Sequence, residues 1–230
     1  MQTTKFELNK QEKLIAGMVL LTCLAEEVNE LSFELSQEGG FPSNYEWFAD
    51  IQKEQLDFEF VAGLVVDFFN SEINEAAENE AVLDLIEQNV VMFTDATDDN
   101  DEVALSDLLR LFSTLTKLCA KGIRFGTDYK RYLDRDHTTK ASFKTIDVIR
   151  VLIEAAQIRT EEFIDLRYSE EHTKDFELTN AERVAYMTDK SKRFFNHFRD
   201  TVSMYLPPSE SIDNTIGQMI KRTESKLAHF

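Results

Sequence analysis

Proline and glycine are scarce in this chain: three prolines and seven glycines among 230 residues. Chains rich in strands and tight turns spend both residues freely, so this scarcity argues against an all-β architecture. Cysteine is scarcer still. Cys23 and Cys119 each sit in apolar runs without CxxC spacing, which argues against a zinc site or a disulfide framework. The four histidines, His137, His172, His197 and His229, are scattered without ligand spacing and are expected at the surface. Positive charge is also short: 25 basic residues stand against 43 acidic ones, a formal net charge of -18. Such a surface repels polyanions, so neither a nucleic-acid backbone nor an anionic membrane is expected as the main partner. The longest apolar run, LIAGMVLLTCLA at 14–25, is too short to span a bilayer and follows a charged start. A protein without a signal or membrane segment, in a reducing cytoplasm, is expected. Walker loops, GxGxxG and a Ser-His-Asp order are missing as well.

What the chain does have is apolar residues recurring at three and four, with 43% hydrophobic residues to fill a core. The pattern predicts an all-α helical bundle. Helix one is expected from about Leu8 to Gln37, stopped by Gly39, Gly40 and Pro42. Helix two follows over about Asn44 to Asn70, and a third over Ser71 to about Phe93. The acidic stretch TDATDDND at 94–101 reads as a connection, with Asn100 or Asp101 capping a helix that ends at Gly122. Residues 142–159 form another helical pattern, and Thr160 is read as opening the next. Thr179 with Glu182 three residues on is a capping box, and Pro207 with Pro208 closes the helix it starts. The expected organisation is one domain over 1–206 and an amphipathic helical tail over 207–230, the tail docking on the body or on another chain.

Four carboxylates interrupt the apolar stripes of the first two helices. Glu27 shares its stripe with Leu20, Leu24 and Leu31, and Glu30 lies three residues on, beside Val19 and Cys23. Glu54 and Asp57 repeat the device on helix two, among Trp47, Ile51, Phe58, Val61 and Leu64. A single carboxylate in such a place costs several kcal/mol without a compensating partner, and four together repel one another. A divalent cation removes both costs, and an oxygen-only donor set without nearby histidine or cysteine points to Mg2+, or Mn2+ in its place. Any one pair alone reads equally well as ordinary helix-surface acid; the pair of pairs is the specific signal.

Glu26-Glu27-x-x-Glu30, 23 intervening residues, then Glu54-x-x-Asp57 resembles the EExxE and ExxD signature of the all-α nucleoside triphosphate pyrophosphohydrolases. That superfamily includes MazG, phosphoribosyl-ATP pyrophosphatase and the dimeric dUTPases. The resemblance implies that the two motifs lie on antiparallel neighbouring helices and that Glu27, Glu30, Glu54 and Asp57 hold Mg2+. Catalytic roles would fall to Glu26, Glu27 and Glu54, with Glu26 orienting water or the ligands. It further implies a homodimer that hydrolyses a (deoxy)nucleoside triphosphate, dUTP or dCTP first, to the monophosphate and pyrophosphate. Lys53, Lys174 and Arg183 are the candidate phosphate contacts, and Trp47 is a candidate for stacking on the base, against its plainer reading as core. The stretch SEEHTKDFELTNAERVAYMTDK lacks the basic, asparagine-rich pattern of the dUTPase branch, so the base is left open. Basic residues cluster in KSKRFFNHFR at 190–199, read as a solvated face that balances neighbouring acids or as a triphosphate-facing patch. Glu162 with Asp165, and Asp67, read as solvated or capping acids. The rival reading is a non-catalytic acidic helical protein that binds a protein partner.

Overall fold

The structure, a computed structural model, describes residues 6–36, 46–73 and 177–229 together with parts of 105–120 and 149–164. Those residues form an all-α bundle, and among them there is no strand. Its helices are α1 (Lys10–Ser36), α2 (Glu46–Ile73), helical residues within 105–120 (α3) and within 149–164 (α4), α5 (Asn180–Ser203) and α6 (Glu210–Leu227). The expected third helix at 71–93, the acidic connection at 94–101 and the caps at Asn100 and Asp101 lie outside the described residues, although α2 itself runs past Asn70 to Ile73. Thr160 is buried and helical, and whether a helix starts there turns on residue 159, which lies outside the described residues.

α1 starts with a reciprocal cap. The Asn9 side-chain oxygen accepts from the Gln11 and Glu12 amides at 2.9 and 3.0 Å, and Glu12 Oε2 accepts from the Asn9 amide at 2.9 Å. Four amides at a helix start lack partners within the helix, and this box satisfies three that flank that start. From Leu14 to Leu21 every residue of α1 is buried, so it runs through the middle of the bundle with apolar side chains on all sides.

α2 lies antiparallel to α1. Near the start of α1, Gly17 meets the end of α2: a Cβ there would fall 2.7 Å from the Phe69 ring. Further along α1, Glu27 and Glu30 face Glu54, earlier in α2. α3 crosses α1 on a small-residue seam: Ser32 Oγ donates to Ser106 O at 2.8 Å, Ser106 Oγ returns a bond to Ser32 O at 2.9 Å, and Ser113 Oγ donates to Ala25 O at 2.6 Å. These bonds satisfy hydroxyls that burial would otherwise strand.

α5 opens with the expected Thr179–Glu182 capping box and buries Met187, Ser191, Phe194, Phe195, Phe198 and Val202, a stripe at helical spacing. Phe194 and Phe195 meet the Phe60 ring of α2 edge-on, at 5.3 and 6.0 Å between centroids. Before it, Gln52 Oε1 on α2 accepts the Leu178 amide at 2.9 Å. α5 ends at Ser203, ahead of Pro207 and Pro208. α6 docks on the body. Ile212, Ile216 and Met219 join the common core, and Ser209 Oγ and Ser211 Oγ both donate to Glu12 Oε1, at 2.6 and 2.7 Å. None of the described helices is long and apolar enough to cross a membrane.

Candidate cation site

The antiparallel pairing of α1 and α2 turns two short sequence patterns into one cluster. Residues three apart share a helix face, so each helix offers two carboxylates to the other. Glu27, Glu30 and Glu54 each bring an oxygen to within 4.8 Å of the others. Glu27 is 8% exposed and Asp57 2%, whereas Glu54 is half-buried and Glu30 exposed, so the cluster opens to solvent along its Glu30 edge.

A third helix completes the arrangement. Lys190 Nζ on α5 lies 2.5 Å from Asp57 Oδ2 and 3.2 Å from Glu27 Oε2. One turn earlier, Tyr186 Oη donates to the same Asp57 Oδ2 at 2.8 Å. Sequence reasoning placed Lys190 only within a basic run and did not single out Tyr186. The available signal was the Tyr186-x-x-x-Lys190 spacing, which puts phenol and ammonium on one face of a firmly capped helix.

The electrostatics follow from crowding. Burial pushes the Glu27 carboxyl up to about 7; Lys190 opposes this, and the charges of Asp57 and Glu30 reinforce it. Glu54 is likewise pushed up to about 7 by burial and then by Asp57 and Glu30. For Lys190, burial pulls the pKa down, but its bond to Asp57 and the charges of Glu27 and Asp57 outweigh that, and the ammonium form is favoured. Burial, followed by the bond to Asp57, raises the Tyr186 phenol, so Tyr186 stays a neutral donor. One ammonium does not satisfy the group. Among the described residues, Glu54 Oε2 and Asp57 Oδ1 find no hydrogen-bond partner although both are buried.

These observations fit a hard divalent cation held by Glu27, Glu30 and Glu54. Their oxygen-only donors suit a hard ion such as Mg2+, Mn2+ or Ca2+.

The other expected site residues lie elsewhere. Glu26 is exposed on α1, and its charge reinforces burial in pushing the neighbouring Cys23 thiol up to about 12, leaving it inert. Lys53 pairs with Asp50 at 2.8 Å. Arg183 bonds Leu178 O at 3.0 Å and Glu177 at 3.3 Å, bracing the entry to α5. The Trp47 side chain, Lys174, Glu162 and Asp165 are outside the described residues. Asp67 faces Lys226 at 3.6 Å, and His197 and His229 are exposed as expected. Of the basic run, Arg193 and Arg199 pair at the surface with Asp189 and Asp213, as a solvated face should. A cavity of about 180 Å³ between α2, α5 and α6, walled by Phe6, Phe60, Leu64 and Met219, has none of the four carboxylates in its lining.

Comparison of the chain with protein-family models, curated proteins and solved structures finds no match.

Proposed function

We propose that this chain is a Mg2+-dependent nucleoside triphosphate pyrophosphohydrolase whose site is the cluster on α1 and α2. The observation that carries the reading is the pair of unpartnered buried oxygens, Glu54 Oε2 and Asp57 Oδ1, beside three convergent glutamates. Carboxylates buried without donors are costly, and a site selected to hold a cation explains why they persist. The resemblance to the EExxE and ExxD signature supplies the substrate class, a (deoxy)nucleoside triphosphate with dUTP or dCTP first. When bound, Mg2+ supplies Lewis acidity toward phosphate oxygens and toward the attacking water. Glu27, Glu30 and Glu54 hold it in place, and the exposed Glu30 edge is where a triphosphate reaches the cluster. Lys190 and Tyr186 fix Asp57 on the opposite side, so the carboxylates keep their positions while substrate enters and leaves.

The second reading, a non-catalytic acidic protein for a protein partner, is favoured by one observation. Lys190 already gives the cluster an internal counter-charge. The two readings separate in a turnover assay on a panel of nucleoside triphosphates with Mg2+ and with EDTA. Metal-dependent pyrophosphate release from one nucleotide, reduced at least a hundredfold in Glu54→Ala, is the expected result. Equal release from wild type and Glu54→Ala on every nucleotide would transfer the reading to the partner-binding protein.

A further inference from the structure

The cluster has two halves, and only one of them is open. In the closed half, Lys190 Nζ is shared between Asp57 Oδ2 and Glu27 Oε2, and Tyr186 Oη also bonds that Asp57 oxygen. The open half is the group formed by Glu27, Glu30 and Glu54. Asp57 lies outside that group, is 2% exposed and keeps Oδ1 unpartnered. Glu27 belongs to both halves. Two-metal sites hold their ions about 3.5–4 Å apart on bridging carboxylates, and Glu27 bridges the ammonium to the open half in the same way.

We propose that the Lys190 ammonium is the permanent second cation of this site, so that the cluster takes one divalent ion, on the Glu27–Glu30–Glu54 side, and keeps Lys190 in place when it does. The inference rests on reading the cluster as a cation site. Three features hold the lysine there. Its donors meet carboxylates on two different helices. Tyr186, on the same face of α5, grips the same aspartate. One turn on, Phe194 and Phe195 pack α5 against Phe60, which holds the helix that carries the lysine beside α2. A second divalent ion bridging Asp57 Oδ2 and Glu27 Oε2 would have to displace Lys190 from both oxygens and Tyr186 from the aspartate. The lysine thus supplies one charge that no chelator removes, and the remaining charge comes from an exchangeable ion.

The test counts ions on the EDTA-stripped full chain, using Mn2+ and the electron paramagnetic resonance signal of the free ion. One Mn2+ per chain is expected. Glu30→Gln, an exposed change that leaves the lysine's contacts intact, should weaken it at least tenfold, and Lys190→Met should raise the count to two. Acetic anhydride labelling of the wild type, read by mass spectrometry, addresses displacement without relying on the fold of Lys190→Met. Equal protection of Lys190 with EDTA and with Mg2+ is expected. A count of two or none in the wild type, an unchanged count in folded Lys190→Met, or at least threefold greater Lys190 labelling with Mg2+ overturns the inference. A count of one with no turnover of any nucleotide would sink the proposed activity and leave Lys190's role standing. Two ions with turnover would do the reverse.

Discussion

Helix α1 carries two buried glutamates with nearly the same exposure, Glu12 at 7% and Glu27 at 8%, and their acidities move in opposite directions. Burial pushes both upward. At Glu12 it is overcome: Ser209, the Asn9 amide and Ser211 all donate to the carboxylate and hold its pKa below the ordinary value. At Glu27 one lysine must serve a group of acids, and the carboxyl rises to about 7. The donors to each carboxylate, weighed against how deeply the group is packed, decide the sign. On the proposed reading, the first glutamate is a finished structural joint and the second is unfinished until a divalent cation joins it.

The sharpest way to break this comparison is to remove each acid. Glu12→Ala removes the acceptor of two serine hydroxyls and of the Asn9 amide, which should cost up to about 3 kcal/mol at roughly 1 kcal/mol per lost bond. Its melting temperature should fall equally with Mg2+ and with EDTA. Glu27→Gln should do the opposite: in EDTA it relieves repulsion and melts no lower than wild type, while the rise in melting temperature that Mg2+ gives the wild type should disappear. Thermal melts of the two variants in both buffers settle the contrast, and a Mg2+ response retained by Glu27→Gln would remove the basis for treating it as unfinished.

A pH series sharpens the same point. Glu27 and Glu54 have folded pKa values of about 7, above the ordinary 4.5, so the native state holds protons that the unfolded chain has released. Their contribution to stability is complete below about 4.5 and is lost as pH rises through about 7. Glu12, with its lowered pKa, contributes stability that is present above the ordinary carboxyl range and lost as pH falls through it. In EDTA, therefore, the melting temperature should decline from pH 5 to 7.5. Mg2+ or Glu27→Gln should flatten that decline, and Glu12→Ala should leave it unchanged.

The smallest effect belongs to Gly17, which lies between the two acids on the same helix. Its close approach to Phe69 leaves no room for a methyl group. Gly17→Ala gains about 1 kcal/mol of helix propensity but incurs about 1–3 kcal/mol of overpacking, so a net loss near 1 kcal/mol is expected. That loss should be independent of both pH and Mg2+. Differential scanning calorimetry across pH checks it, and a pH-dependent loss would show that the apolar stretch is coupled to one of the acids.

The described helices and the Thr179 cap were legible in the sequence because each rests on spacings of three or four within one helix, whereas the facing of Glu27 and Glu30 toward Glu54 was implied by the resemblance to the EExxE and ExxD signature. Lys190 was not legible in its role. It meets Glu27 across 163 residues of sequence, and only the Tyr186 one turn before it sets it apart from Lys192, which stays exposed. The Asn9–Glu12 box was as readable as the one at Thr179, with the same spacing and an asparagine in place of the threonine. Its second role was not, because Ser209 and Ser211 reach Glu12 from the far end of the described chain.

The joint at Glu12 also sets an order of events during synthesis. Ser209 and Glu12 are separated by 197 residues, so the joint that Ser209 and Ser211 make with Glu12 forms only after residue 211 has been made. Until then a growing chain carries a central apolar helix whose neighbours on several sides do not yet exist. Such an intermediate exposes adhesive surface while translation continues, which makes the nascent chain a customer for chaperones in a way that the finished fold is not.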